Sequence, residues 1–218
     1  MLRDGSKEDN EHTQPSFNAM KIGLFFGTFN PIHVGHLVIA NYMAQHSELD
    51  QVWLVVTPQN PLKQKTTLLP DFHRLMLVKE AIDDNPKLKA SDVEFTLKKP
   101  NYTIHTLTHL MERYPQDEFA LILGEDNLRT LHKWYNYEQL LENHKLYVYP
   151  RAMTEAETET EDFSNNLVAH KNVIFCHDVP VMNVSSTFIR NSIKAGKDVR
   201  YLLTETVLKY VEEMNFYK

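Results

Sequence analysis

The sequence is poor in several things, and each shortage removes a class of protein. It holds one cysteine, Cys176, so neither an internal disulfide nor a cysteine-built zinc site is available. Cys176 ends the apolar run Val173-Ile174-Phe175 and reads as a buried strand residue. No stretch approaches the roughly 18 uninterrupted apolar residues of a membrane span, and the polar opening Met1–Ala19 lacks the apolar core of a secretory signal. Cations are in deficit too. With 23 Lys and Arg against 29 Asp and Glu, the formal charge is −6, which argues against a general nucleic-acid binder. A local cluster of donors can still bind a small anion inside an acidic protein. These exclusions leave a reduced, cytoplasmic protein that associates with neither membrane nor nucleic acid.

What is present fits one α/β domain. The chain of 218 residues is 42% hydrophobic and 24% charged, enough for one sizeable core. Residues 1–19 carry almost nothing apolar beyond Leu2 and Phe17 and read as a disordered extension. Met20, just before the first convincing strand, is the expected original start, and residues 20–218 are expected to form one domain. Apolar runs predict strands at Lys21–Phe26, Val52–Val56, Phe119–Leu123, Lys145–Tyr149 and Val173–Cys176, with a weak one near Val93–Phe95. Helical spacing predicts helices over Gly35–Gln45, Asp71–Asp83 (Leu75, Val78 and Ile82 on one face), Thr103–Glu112, Thr187–Ala195 and Glu205–Glu213. Strands separated by helices imply βαβ units: a Rossmann-like, doubly wound parallel sheet with a helical C-terminal portion. The acidic, low-complexity Thr154–Asp162 reads as a solvated loop.

In such a sheet ligands bind beyond the carboxyl ends of the strands, and the unusual residues fall there. Gly27-Thr28-Phe29-Asn30-Pro31-Ile32-His33-Val34-Gly35-His36 follows the first strand. Gly27 permits a tight turn, and Gly35 leaves space between two histidines three residues apart at a helix start. Both rings can face one spot, where the helix N-terminus favours an anion. This is neither a Walker A loop nor the three-glycine dinucleotide fingerprint. Val184-Ser185-Ser186-Thr187-Phe188-Ile189-Arg190 opens a later helix. A serine N-cap alone explains part of it; free amides, hydroxyls and an arginine one turn on also make a phosphate cradle.

Together these two elements resemble the HxGH nucleotidyltransferase superfamily, and most closely the bacterial nicotinate-nucleotide adenylyltransferases. The likeness runs from Met20 onward. The family's Gly-Gly-Thr-Phe-Asp-Pro-Ile-His-x-Gly-His is met with Phe26 for the first Gly and Asn30 for Asp; its Ile-Ser-Ser-Thr-x-Ile-Arg is met by Val184 to Arg190. Asn101-Tyr102-Thr103 resembles its Ser-Tyr-Thr, and Gly124-Glu125-Asp126-Asn127-Leu128 its Gly-Ala-Asp-Ser-Leu. Trp134-Tyr135 matches an aromatic pair that flanks the nicotinate ring in the family, although helix packing would explain these residues equally well. Pro61-Leu62-Lys63 stands where Pro-His-Lys is usual: the histidine is lost and the lysine kept. Arg151 takes the place of the arginine of an Arg-Pro-Gly motif, followed here by Ala152.

The resemblance implies transfer of AMP from ATP to nicotinate mononucleotide. His33, His36, Lys63 and Arg190 are the expected catalytic groups. Gly27, Thr28, Phe29, Gly35, Gly124, Asp126, Ser185, Ser186 and Thr187 are expected to bind ATP, and Thr103, Trp134 and Tyr135 the acceptor. Mg²⁺ is expected to ride on the ATP phosphates, with no dedicated carboxylate cage in the protein. Residue reading alone leaves other acceptors open (nicotinamide mononucleotide, phosphopantetheine, FMN). It also leaves a non-catalytic adenine-nucleotide sensor and a homo-oligomer open, whereas an RNA-binding module is disfavoured by the net charge and by the lack of an aromatic–basic stripe.

Overall fold

The computed structural model describes residues 19–58, 68–151 and 167–218. The extension 1–18, the Pro61-Leu62-Lys63 segment and the acidic run Thr154–Asp162 lie outside the described residues.

Six strands form one sheet, each paired in parallel: β1 (Lys21–Gly27), β2 (Gln51–Val56), β3 (Leu88–Ser91), β4 (Glu118–Gly124), β5 (Leu146–Tyr149) and β6 (Val173–Phe175). Their order is β3-β2-β1-β4-β5-β6, the doubly wound arrangement expected from the alternation. At its centre Leu24 sits between Trp53 of β2 and Leu121 of β4 and is fully buried. Alternate residues feed two cores, one on each face. Phe25, Val52, Leu54, Val56, Ala120 and Ile122 face α1 (Val34–His46) and α2 (Asp71–Ile82). Ile22, Leu24, Val55, Leu121 and Leu123 face α3 (Thr103–Arg113), α4 (Glu125–Arg129) and α5 (Tyr137–Asn143). Burying each Val, Leu, Ile or Phe side chain among these contributes about 1.5–3 kcal/mol, which is why these strands read as continuous apolar runs. The helical C-terminal portion is α6 (Ser186–Lys194) and α7 (Glu205–Glu213), which pack on the first of these cores through Ile189, Val207 and Val211.

One expected element is corrected. Val93–Phe95 is a 3₁₀ turn, and the edge strand is Leu88–Ser91 immediately before it. This strand pairs only with β2, and its sequence Leu-Lys-Ala-Ser carries one strongly apolar residue. The stronger apolar signal of Val93 comes from its burial beneath α3 rather than from a ladder.

The chain winds away from β1 in both directions, so the crevice opens at the carboxyl ends of β1 and β4. The loops after Gly27 and Gly124 meet there.

Candidate active site

A cavity of about 380 Å³ lies at this edge. Gly27, Thr28, Phe29, His33, Gly35 and His36 line it from the first loop, and Ser185, Ser186, Thr187 and Arg190 from the start of α6. Two motifs that are about 150 residues apart in sequence thus share one hollow.

The loop owes its shape to close packing. Phe29 adopts a left-handed φ of 44°, and its ring is fully buried. That ring fills the space a side chain at Gly27 would occupy, with its nearest atom 2.8 Å from where a Cβ would stand. Phe29 also meets His36 edge-on, ring centroids 5.1 Å apart. His33 caps α1 with extended backbone (φ −148°), and its N–H donates to His36 Nδ1 at 3.3 Å. The two imidazoles stack, with centroids 3.7 Å apart and planes 28° from parallel. Both rings therefore address one spot. His33 is buried, and among the described residues its Nδ1 has no hydrogen-bond partner; burial lowers its pKa from 6.5 to about 4. Near neutral pH it is an uncharged ring with a single N–H to give.

Gly35 explains how α6 comes so close. A Cβ there would stand 2.7 Å from Val184 Cγ1 and 3.1 Å from His33 Nδ1. Ser185 is the N-cap of α6, its Oγ accepting the Phe188 N–H at 3.2 Å. Ser186 Oγ donates to Pro31 O at 2.9 Å, which uses that hydroxyl to tie α6 to the first loop. Arg190 donates Nη1 to Asn30 O at 2.8 Å and Nη2 to Thr187 Oγ1 at 3.1 Å. Both partners are neutral, so the guanidinium charge is left to face the cavity.

Across the crevice, Asp126 Oδ2 pairs with Arg151 Nη1 at 2.6 Å, and Arg151 lines the cavity. Among the described residues Asp126 Oδ1 is buried without a hydrogen-bond partner, and it lies 2.5 Å from where a Gly124 Cβ would stand, so a side chain there would have to push the carboxylate aside. Burial, with Asp126 adding to it, pushes the Tyr149 hydroxyl up to about 12, leaving it a neutral phenol.

Of the expected residues, Thr103, Gly124, Asp126, Trp134 and Tyr135 are not among those that line the hollow. Thr103 opens α3. Trp134 is half-buried against the core under α3, whereas Tyr135 stands half-exposed, its ring 4.9 Å from Tyr102 and 5.5 Å from His105. The loop into Tyr102-Thr103 is held from behind: Asn101 Nδ2 donates to Glu94 O at 2.8 Å, and Thr106 Oγ1 to Glu94 Oε1 at 2.8 Å. Burial raises the Glu94 carboxyl above its usual range. Of the residues expected in the site, Lys63 alone lies outside the described residues.

Sequence reasoning missed Arg74. It is fully buried and donates to Leu69 O (3.0 Å), Thr28 O (2.6 Å) and Thr57 O (3.0 Å), with Asp71 as its ion-pair partner. It thereby fixes the loops after β1 and β2 together. The signal was available: Arg74 sits four residues before Val78, on the apolar face of a predicted helix.

The cytidylyltransferase-like family matches residues 24–192. The probable nicotinate-nucleotide adenylyltransferase of Flavobacterium johnsoniae is 57% identical over 199 residues, 91% of this chain and 100% of that one. Its counterpart by name in Flavobacterium psychrophilum is 55% identical over the same shares. The chain belongs to the nicotinate-nucleotide adenylyltransferase family. The fold agrees. The nicotinic acid mononucleotide adenylyltransferase of Plasmodium falciparum, solved complexed with NaAD, superposes with a TM-score of 0.69 at 16% identity, over 91% of this chain and 97% of that one. As an adenylyltransferase of this family the chain keeps both histidines and the arginine in one cavity. Among the described residues no helix is long and apolar enough to cross a membrane.

Proposed function

We propose that this cavity transfers the AMP part of ATP to nicotinate mononucleotide, releasing pyrophosphate and forming deamido-NAD in the cytoplasm. Residues 20–218 act as one catalytic domain. The observation that carries the reading is the stacked His33–His36 pair facing the same hollow as Arg190.

The acceptor phosphate oxygen attacks the α-phosphorus in line; the new O–P bond forms as the bond to the pyrophosphate oxygen breaks. A phosphate is already a competent nucleophile, so the protein supplies alignment and charge neutralisation rather than a covalent intermediate. His36 donates to the α-phosphate in the transition state and His33 to a neighbouring phosphate oxygen. Arg190, with Lys63 from the segment that follows β2 in sequence, balances charge on the departing pyrophosphate. Backbone amides of Gly27–Phe29 and of Ser185–Thr187 hold the nucleotide, the latter with the N-terminus of α6 behind them. Gly35 keeps these two walls close. Mg²⁺ carried on the triphosphate would supply further charge neutralisation, and Asp126 Oδ1, which has no partner among the described residues, would suit a metal-bound water or a ribose hydroxyl. The acceptor ring lies against Tyr135 and Trp134, with Thr103 at the start of α3 beside it.

The test is pyrophosphate release with ATP and each of three acceptors: nicotinate mononucleotide, nicotinamide mononucleotide and phosphopantetheine. Fastest turnover with the first is expected. Faster turnover with either of the others would reassign the acceptor, and ATP binding without pyrophosphate release would make the chain a sensor.

A further inference from the structure

Asn30 joins three distant parts of the chain. It is buried, with 3% of its surface exposed. Its backbone O accepts from Arg190 Nη1 at 2.8 Å, and its Oδ1 accepts from Leu69 N–H at 3.2 Å. The same Oδ1 meets the Tyr217 hydroxyl at 2.9 Å. A backbone N–H can only donate, so Leu69 fixes which end of the Asn30 amide is oxygen. Tyr217 is then the donor, and its proton points at the loop that carries the two histidines.

The segment after α7 is shaped to bring that hydroxyl in. Phe216 N–H returns to Val211 O at 3.0 Å and Asn215 N–H to Glu212 O at 3.1 Å, closing the helix end. Asn215 and Tyr217 both hold left-handed φ values, 53° and 66°. For residues with a Cβ this conformation is disfavoured, and it persists only where the surroundings impose it. The surroundings here are Phe216 and Tyr217 packed against the core under α1 and α2, and the bond to Asn30. Burial raises the Tyr217 pKa, with the Arg190 and Arg74 guanidinium groups opposing, so the phenol stays protonated at working pH.

We propose that Tyr217 is a positioning residue for the transferase: by donating to Asn30 it fixes the peptide carbonyl that aims Arg190 into the cavity. The segment after α7 is then part of the catalytic apparatus although it touches no substrate. This rests on the charge-balancing role given to Arg190 above.

Tyr217→Phe keeps the ring and removes one hydroxyl, a loss of about one buried hydrogen bond. The expected result is a fall in kcat of roughly tenfold with KM for ATP within about twofold, since the misplaced group acts on the developing charge. Tyr210→Phe is the control: it removes a comparable bond, to His73 Nδ1 at 3.0 Å, from the same C-terminal region without reaching Asn30, and should leave kcat unchanged. The decisive arm is the double variant. In an Arg190→Ala background Tyr217→Phe should cost nothing more, because the group it positions is gone. A wild-type kcat in Tyr217→Phe, or the same tenfold fall in both backgrounds, would overturn the inference. If Arg190→Ala alone kept full kcat, the role of Arg190 would fall first, and this assignment with it.

Discussion

Replacing His33 by asparagine should remove a specific piece of the protein's acid sensitivity. His33 is buried, and burial holds its pKa at about 4 against 6.5 in the unfolded chain. Between these values the unfolded state binds a proton that the folded state refuses. The folded state therefore keeps its full stability above pH 6.5 and loses it as the pH falls towards 4. At pH 5 the linkage comes to about 2 kcal/mol, as the ratio of the two states' binding polynomials gives, and at lower pH it tends to about 3 kcal/mol. The assay is urea denaturation at pH 7.5 and pH 5 for the wild type and for His33→Asn, which cannot titrate. Burial also lowers the pKa of His144, opposed by its bond to Phe119 O, and this acts in the same direction in both proteins and cancels. The wild type should lose about 2 kcal/mol more than the variant over that interval. Equal losses would mean that His33 is not held neutral by its surroundings, and its description as an uncharged N–H donor would be withdrawn.

Two further changes probe how the site is held together. Gly35→Ala puts a methyl group 2.7 Å from Val184 Cγ1, so the start of α6 must retreat from the histidines. We expect kcat/KM for ATP to fall at least about tenfold while the melting temperature moves by only a few degrees; unchanged kinetics would show that the two walls need not be so close. Arg74→Met strips the partner from three carbonyls and from Asp71, and should cost about 3–5 kcal/mol in a urea titration. A loss below about 1 kcal/mol would mean that water replaces the guanidinium without difficulty.

Much of this site was legible because its parts are local. His33, Gly35 and His36 lie within one turn, and Ser185 to Arg190 within two, so spacing alone places their groups at helix starts. The strands were legible where both faces are buried, as in Leu24 or Leu121, and not at the edge strand Leu88–Ser91, where little of the pattern is apolar. What could not be read were the ties between remote residues. Arg74 reaches Thr28 over 46 positions, Arg190 reaches Asn30 over 160, and Tyr217 reaches Asn30 over 187. No periodicity encodes such pairs; they exist only once the order β3-β2-β1-β4-β5-β6 has brought the loops to one edge. Ser186 illustrates the same point: its hydroxyl, legible as a phosphate ligand, is bonded to Pro31 O.

The most direct test is the turnover of His36→Ala with ATP and nicotinate mononucleotide both saturating, followed by pyrophosphate release, with a melting curve beside it. Loss of one preorganised donor to the α-phosphate predicts a fall of about two orders of magnitude or more in a protein that melts near the wild-type temperature. Turnover close to normal would show that the imidazole beside His33 does no chemistry and that the cavity's role had been misassigned.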